Sequence, residues 1–213
     1  MKSYQQHFIQ TAQRCGALNF GEFTLKSGRK SPYFFNAGLF YQGASLSVMA
    51  KCYAQAIVDA KIDYDVIFGP AYKGISIAAL TCAALFDQHQ VQSVYAYNRK
   101  EAKNYGEGGQ VVGAAINDKK LLILDDVVTA GTAIKEVSDL AQQHNATVAG
   151  VMVGLDRQEK GASSLSALQE VERNFAIPAK SIIKLDDIMT FLQDNQEQDK
   201  LAKINKYRSE YGI

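Results

Sequence analysis

The chain has 213 residues, 47% of them hydrophobic, which is enough apolar surface for the core of one soluble globular domain. Its formal net charge is +1, so no overall field attracts nucleic acid or a membrane surface, and we expect neither as a partner. Three widely spaced cysteines, Cys15, Cys52 and Cys82, form no metal-binding pattern and indicate free thiols in a reducing, cytoplasmic compartment.

The N-terminal part of the chain is predicted to form a small subdomain. Apolar residues at helical spacing indicate an amphipathic helix from Tyr4 to Cys15, without the continuous apolar run of a secretory signal. Residues 22–40 contain short β-like runs separated by serine-containing turns, which predicts a small hairpin, or hood. No change in composition marks a second domain, so we expect a single domain over residues 1–213 with a hood subdomain at about 1–40.

Strands and helices alternate along the rest of the chain. Continuous apolar runs predict short buried strands near residues 65–68, 94–98, 119–125, 147–155 and 181–185. Helical patterns flank these runs, near residues 45–61, 73–86, 132–144, 164–174 and 187–211. This alternation predicts an α/β fold whose mostly parallel central sheet is flanked by helices. The most apolar stretch is interrupted by Pro70 and Lys73, so we do not expect it to span a bilayer.

One polar interval stands between two of the predicted strands. Residues 99–110, RKEAKNYGEGGQ, contain three glycines and three basic residues but almost no apolar side chain that could anchor them. Such a segment packs poorly against a core, and long loops of this kind commonly bind or cover a ligand. The interval is therefore predicted to be a mobile loop, or lid.

The stretch LLILDDVVTAGTA, residues 121–133, carries the clearest chemistry. A buried strand ends in Asp125 and Asp126, and ligands of open α/β sheets bind beyond the carboxyl ends of the strands. A loop of small residues follows and leads into a helix, whose first turn offers unpaired N–H groups and a partial positive charge. Gly131 allows the backbone to approach a ligand closely, so residues 128–133 are predicted to cradle a monophosphate.

The two carboxylates would repel the phosphate, so they must face a different part of the ligand. A ribose 5-phosphate meets this requirement, because its hydroxyl groups donate to the acids while its phosphate occupies the helix N-terminus. The acids would also stabilise positive charge that develops at the anomeric carbon, and they could hold Mg²⁺. The alternative is that they merely cap the next helix, although two acids followed by T-A-G-T exceed what capping needs. The stretch matches neither a Walker A loop nor G-x-G-x-x-G, which disfavours an ATPase or a Rossmann dehydrogenase.

These residues resemble a known family. I-L-D-D-V-V-T-A-G-T-A resembles the phosphoribosyl pyrophosphate motif of type I phosphoribosyltransferases. Four further stretches, residues 25–36, 68–75, 97–109 and 154–159, resemble the orotate phosphoribosyltransferases in particular and extend the match over nearly the whole chain. The resemblance implies the type I phosphoribosyltransferase fold and a glycosyltransferase reaction of pyrimidine biosynthesis. In that reaction, orotate and phosphoribosyl pyrophosphate give orotidine 5′-monophosphate and pyrophosphate.

The resemblance also implies the ligands, the assembly and the site. Mg²⁺ would be carried mainly by the pyrophosphate, with no resident protein metal site. The protein would be a homodimer with shared active sites, in which Lys100 and Lys103 act across the dimer. The residues implied to act in catalysis are Asp125, Asp126 and Lys103. Those implied to bind phosphoribosyl pyrophosphate are Lys26, Tyr72, Lys73, Arg99, Lys100, Lys103, Tyr105, Asp125, Asp126, Val127, Val128, Thr129, Ala130, Gly131, Thr132 and Ala133. Those implied to bind orotate are Lys26, Phe34, Phe35, Thr129 and Arg157.

Several of these assignments have simpler alternatives. Lys73 could be an ordinary solvated lysine, but its place at the positive end of a helix favours an anionic partner. Phe34 and Phe35 could be core residues, and for at least one of them core packing is an equally good interpretation. Tyr105 departs from the family pattern, which commonly has histidine there; tyrosine keeps one O–H donor for pyrophosphate but loses the option of a positive charge.

Two other functions remain open at this point. A purine-base phosphoribosyltransferase would keep the acid pair and the phosphate cradle, but it would not need a cation such as Arg157 for a carboxylate. A regulator could bind phosphoribosyl pyrophosphate without turnover. The predicted lid and the lack of an added DNA-binding segment argue against that class.

Overall fold

The computed structural model describes residues 1–25, 28–103, 109–129, 131–161 and 163–213, with residues 102 and 103 described by their backbone. The strands in these ranges are β1 (Leu18–Thr24), β2 (Lys30–Phe35), β3 (Val66–Gly69), β4 (Val94–Lys103), β5 (Gly109–Gly113), β6 (Lys120–Asp125), β7 (Thr147–Asp156) and β8 (Ala179–Lys184). The helices are α1 (Ser3–Arg14), α2 (Gly43–Ala60), α3 (Lys73–His89), α4 (Thr132–Gln143), α5 (Ala167–Phe175), α6 (Leu185–Asp194) and α7 (Gln198–Tyr211).

Six of the strands form the central sheet, in the order β5-β4-β3-β6-β7-β8. All neighbouring pairs are parallel except β4 and β5, which are antiparallel. The predicted α/β fold with a mostly parallel sheet is therefore confirmed. The two remaining strands, β1 and β2, pair in antiparallel fashion and form the predicted hood.

Strand β6 shows how the sheet divides the core. Residues Leu121 to Leu124 are fully buried and alternate between the two faces of the sheet. Leu122 and Leu124 join the hydrophobic cluster under α1, α2, α3, α6 and α7, whereas Leu121 and Ile123 join the cluster under α4 and α5. Each of these side chains contributes about 1.5–3 kcal/mol relative to an exposed position. The strand end that carries the acid pair is thus held rigidly from both faces.

The predicted bounds of the loop, residues 99 and 110, are wrong at both ends. Residues 99–103 continue β4, and residues 109–110 begin β5, with Lys103 opposite Gly109 in the register. The sequence pattern fails here because strand pairing is made by backbone groups, and β5 is an edge strand with half-exposed or exposed side chains. Residues 104–108 lie outside the described residues.

Among the helices that the structure describes, none combines the length and the apolar character needed to cross a membrane.

Candidate active site

The acid pair is fixed at the carboxyl end of β6 by hydrogen bonds from three directions. The backbone N–H of Asp126 donates to Oδ1 of Asp125 at 2.8 Å. The N–H of Gly154, on the neighbouring strand β7, donates to the carbonyl of Asp126 at 2.9 Å. The hydroxyl of Tyr53, on α2, donates to the carbonyl of Asp125 at 2.8 Å. The position of the two carboxylates is therefore set by the sheet and by the helix beneath it.

These bonds also decide between the two interpretations of the acids. The carboxylates accept from the N–H groups of Asp126 and Val127, at 2.8 and 3.0 Å, within the strand end itself. Helix α4 begins later, at Thr132, and its N-cap residue is Gly131. The acids therefore do not cap α4, and the capping interpretation is wrong.

The electrostatics of the pair are unusual. Asp126 is buried, and its Oδ2 atom accepts from the Nζ atom of Lys73 at 2.6 Å. Burial and the neighbouring charge of Asp126 raise the pKa of Asp125 to about 7. Near neutral pH, a second negative charge at this place is thus poorly tolerated. A ligand that brings hydroxyl donors or a cation would compensate for that charge.

Lys73 reaches the pair because two strand-to-helix turns pack very closely. A Cβ atom on Gly69, at the end of β3, would lie 2.1 Å from the carbonyl oxygen of Gly74. A Cβ atom on Gly74, in the first turn of α3, would lie 2.8 Å from the carbonyl oxygen of Leu124. Only glycine allows this approach, which places the N-terminus of α3 against the end of β6.

The turn before α3 is held by a residue of the next strand. The N–H of Ala71 donates to Oδ1 of Asn98, which is buried on β4, at 2.9 Å. The Ala71–Tyr72 peptide bond is cis. Tyr72 is highly exposed, and the Lys73 side chain is 51% exposed although it contacts Asp126. Lys73 therefore lies beside the acids at the ligand edge of the sheet, and Tyr72 directly precedes it in the turn.

The predicted phosphate cradle connects β6 to α4. Gly131 has φ 69°, in the left-handed region that favours glycine, and directly precedes the helix. Thr129 and Thr132 are exposed, while Val127, Val128 and Ala133 are half-buried. Ala130 lies outside the described residues. The described part of the segment has the strand–loop–helix arrangement that presents first-turn N–H groups to an anion.

The three basic residues assigned to the loop all lie on β4. Nη1 of Arg99 donates to the carbonyl of Gly109 at 3.1 Å, across the β4–β5 pair. Nζ of Lys100 forms a 3.0 Å exposed ion pair with Glu136 of α4. The side chain of Lys103 and all of Tyr105 lie outside the described residues, so their predicted contacts stay predictions.

The two phenylalanines that were assigned to orotate, Phe34 and Phe35, differ in burial. Phe35 is buried and packs against Phe8 and Phe40, with ring centroids 6.2 and 6.5 Å apart. Phe34 is 38% exposed and stacks on Phe23 at 5.6 Å. Core packing therefore accounts for the Phe35 ring, whereas the Phe34 ring is accessible. Lys26 lies outside the described residues.

Arg157 follows β7 at the ligand edge and joins the sheet to the hood. Its Nε and Nη2 atoms donate to Oε1 of Glu159 at 2.8 and 2.5 Å, and Nη2 also donates to the hydroxyl of Ser31 at 3.3 Å. Its guanidinium lies over the Tyr33 ring, 4.6 Å from the centroid. Burial alone would lower the pKa of Arg157, but Tyr33 and Glu159 outweigh it and hold that pKa above its ordinary value.

Three residues that position the site were missed in the sequence. Asn98 offered a signal, since it is a polar residue directly after the apolar run that begins β4. No signal in the sequence pointed to Tyr53, because its hydroxyl reaches Asp125 from a helix 72 positions away. Glu159 lies in a stretch that resembles the family, but its contacts with Arg157 depend on the fold.

The fold and this edge define a class of protein. The family model of the Phosphoribosyl transferase domain matches residues 39–178, which include β3, β6, α4 and β7. The orotate phosphoribosyltransferases of Photobacterium profundum and of Pseudomonas putida strain F1 are 53% and 54% identical to the chain, each over 100% of both sequences. The crystal structure of orotate phosphoribosyltransferase from Francisella tularensis has 42% identity and a TM-score of 0.89, covering 97% of this chain and 100% of its own. The chain belongs to the phosphoribosyltransferase family and, within it, to the orotate phosphoribosyltransferases. The family predicted from the sequence motifs is confirmed.

Proposed function

We propose that the chain transfers the 5-phosphoribosyl group of phosphoribosyl pyrophosphate to orotate, giving orotidine 5′-monophosphate and pyrophosphate in pyrimidine biosynthesis. The observation that carries this proposal is the Asp125–Asp126 pair at the end of β6, where Asp126 is buried and Asp125 is half-buried, followed by the short segment that leads to the N-terminus of α4. It occurs in a chain that is more than half identical to named orotate phosphoribosyltransferases over its full length.

The ribose phosphate is proposed to lie across this strand end. Residues Val127 to Ala133 hold the phosphate through backbone N–H groups and the hydroxyls of Thr129 and Thr132. The ribose hydroxyls donate to Asp125 and Asp126, whose carboxylates are already fixed by the sheet. As the bond to pyrophosphate breaks, the anomeric carbon becomes positive, and the preorganised carboxylates stabilise that charge.

The leaving pyrophosphate is proposed to lie between the β3–α3 turn and the loop after β4. The Nζ atom of Lys73 already lies 2.6 Å from Asp126, so one ammonium group can contact both the acid that binds the ribose and the leaving pyrophosphate. Tyr72, Arg99, Lys100, Lys103, Tyr105 and Lys26 are the further proposed contacts. Concentrated positive charge stabilises the leaving group, and closure of the loop excludes water that would hydrolyse the substrate.

Mg²⁺ is proposed to enter with the pyrophosphate. In the described residues, no group of three or more His, Cys, Asp or Glu side chains could hold a metal ion. The two oxygen-donor carboxylates nevertheless suit Mg²⁺, which typically binds one or two carboxylates together with substrate phosphates and waters. Asp125 and Asp126 are the residues that would approach it, directly or through water. When bound, the ion neutralises charge on the departing pyrophosphate.

Orotate is proposed to lie under the hood. Arg157 offers a guanidinium that can grip the orotate carboxylate, and Thr129 and Lys26 approach the ring from the phosphate loop and the hood. The exposed ring of Phe34 is available for contact with the planar base. The Phe35 ring is engaged in the core, so its contact with orotate would be made by its backbone.

The assembly and location are also proposals. A homodimer with shared sites, in which Lys100 and Lys103 act on the partner's substrate, follows from the resemblance of residues 97–109. A cytoplasmic location is supported by the three cysteines, all of which are free thiols.

The decisive experiment follows the loss of orotate absorbance when phosphoribosyl pyrophosphate and Mg²⁺ are added to the protein. We expect turnover with orotate and none with adenine, hypoxanthine or xanthine. Purine turnover without orotate turnover would identify a purine-base enzyme instead. Binding of phosphoribosyl pyrophosphate without release of pyrophosphate would identify a sensor.

A further inference from the structure

The surroundings of Arg157 form a charged network that the proposed reaction does not by itself require. Glu159 accepts from Nε and Nη2 of Arg157 through one oxygen, and from the hydroxyl of Tyr33 at 3.3 Å through the same oxygen. Its other oxygen lies 3.8 Å from Nη1 of Arg29. The side chains of Glu159 and Arg157 are only 12% and 16% exposed, so this is an ion pair of the protein interior rather than a surface pair.

We infer that Glu159 is a positioning residue for orotate, because it fixes the plane and direction of the Arg157 guanidinium before the substrate arrives. This inference rests on the proposed function and names a new residue for its orotate site. A guanidinium has five N–H donors, of which Glu159 and Ser31 engage at most three and the neighbouring Tyr207 hydroxyl at most one more. At least one donor therefore remains for a second carboxylate, and its direction is set by the first.

The hood also helps to hold the Arg157 guanidinium in place. The Tyr33 ring covers one face of the guanidinium, while its hydroxyl contacts the carboxylate that holds the guanidinium edge. Tyr33 is itself fully buried on β2 and packs edge-on against Tyr207 of α7, with centroids 6.3 Å apart. A flexible arginine is thus held on one edge by Glu159 and on one face by Tyr33. Preorganisation of this kind lowers the entropic cost of gripping a ligand.

An alternative role for Glu159 would be to occupy the place of the substrate carboxylate and to leave when orotate binds. The contacts argue against it. Glu159 is anchored by Tyr33 and Arg29 as well as by Arg157, and its backbone forms a bridge with Gly212. A carboxylate held from several sides on the protein scaffold remains in place, whereas a placeholder would be held by the arginine alone.

The test compares steady-state kinetics of the full-length protein and its Glu159→Gln, Glu159→Ala and Tyr33→Phe variants, with orotate and phosphoribosyl pyrophosphate varied in turn. We expect the KM for orotate to rise about tenfold or more in Glu159→Ala and by a smaller factor in Glu159→Gln, which keeps an acceptor oxygen. Tyr33→Phe, which removes a single hydroxyl, should raise it about twofold to threefold. The KM for phosphoribosyl pyrophosphate should change less than about twofold in all three variants.

An exposed ion pair of α5 and β8 offers a matched control. Glu172 forms an exposed ion pair with Lys180 at 3.0 Å, outside the proposed site, so Glu172→Gln should leave both KM values unchanged. Equal changes in the two KM values for the Glu159 variants would indicate a general structural role and overturn the inference. A lower KM for orotate in Glu159→Gln would show that Glu159 competes with the substrate, which also overturns it.

A double-mutant cycle tests whether Glu159 acts through Arg157. In an Arg157→Ala background, Glu159→Ala should change the KM for orotate by less than about twofold, because the group being positioned is gone. Additive effects would overturn the inference. If wild-type protein does not convert orotate, the proposed function itself fails. If Arg157→Ala raises the KM for orotate but the Glu159 variants do not, the function stands and this inference alone is rejected.

Discussion

The Nζ atom of Lys73 lies 2.6 Å from Oδ2 of Asp126 and links the N-terminus of α3 to the carboxyl end of β6. The pair joins the proposed ligand of the leaving group to the proposed ligand of the ribose. Positive charge that develops on the ribose and negative charge that develops on pyrophosphate would therefore face two groups that are already in contact. Transition-state charges meet oriented partners in such a site, without costly reorganisation.

Asp126→Asn should reduce kcat by more than about tenfold, which corresponds to about 1.4 kcal/mol of barrier. The amide keeps an oxygen that can accept from the N–H of Val127, so the strand end should retain its geometry while losing its charge. Initial rates of orotate consumption measure the effect. Asp63→Asn is the control, since it removes one carboxylate from an exposed ion pair with Lys120. A wild-type rate in Asp126→Asn would refute the role of this acid.

Lys103→Ala should reduce kcat by more than about tenfold while leaving the thermal unfolding midpoint unchanged. The surrounding residues 99–110 have few apolar side chains, so the lysine is expected to serve the pyrophosphate rather than the core. Lys203→Ala, at an exposed position of α7, is the matched loss of a positive charge. Full activity of Lys103→Ala would remove this residue from the proposed mechanism.

Mixing the inactive Lys103→Ala and Asp126→Asn proteins should restore activity if the loop acts across a dimer. Random exchange makes half of the dimers mixed, and each mixed dimer has one site with both wild-type residues. The expected recovery is therefore about a quarter of the wild-type rate. Subunit exchange is verified by mass spectrometry of a tagged and an untagged chain. Exchange without recovery would show that each loop serves its own subunit, or that the proposed dimer has separate sites.

The sequence predicted those features that are encoded in neighbouring residues. The buried strand, the two acids and the small-residue loop before α4 are contiguous, so their order alone places them at a ligand edge. The contact between Lys73 and Asp126 was not predictable in the same way. It depends on the close approach of Gly74 to Leu124, which only the packed sheet shows. Strand β5 was missed because an edge strand needs backbone partners rather than an apolar pattern.

The pH dependence of stability should reveal the proton on Asp125. The pKa of this carboxyl is 3.8 in an unfolded chain and about 7 in the folded protein, because burial and the charge of Asp126 disfavour its ionised form. The folded state therefore binds the proton more tightly than the unfolded state. Stability from this group is present at low pH and is lost as the pH rises from about 4 to about 7.

Asp125→Asn removes that dependence and keeps an acceptor oxygen for the N–H of Asp126. The free energy of unfolding of the variant minus that of wild type should therefore increase between pH 4 and pH 7, by up to an amount on the order of 4 kcal/mol. Urea unfolding at a series of pH values measures this difference. A constant difference over the whole range would show that the folded and unfolded states bind this proton equally well.

Gly74→Ala should damage both the fold and the site, because the close approach of α3 to β6 has no room for a methyl group. The new Cβ atom would lie 2.6 Å from Cδ of Pro70, in the turn before α3, and 2.8 Å from the carbonyl oxygen of Leu124, on β6. We expect a loss of about 1–3 kcal/mol in the free energy of unfolding. We also expect a higher KM for phosphoribosyl pyrophosphate, since the helix that carries Lys73 has to shift. Gly43→Ala is the control: it makes the same change at the first residue of α2, where a Cβ atom meets nothing within 4 Å. If the two variants unfold alike, the close contact of α3 with β6 does not hold Lys73 beside the acids.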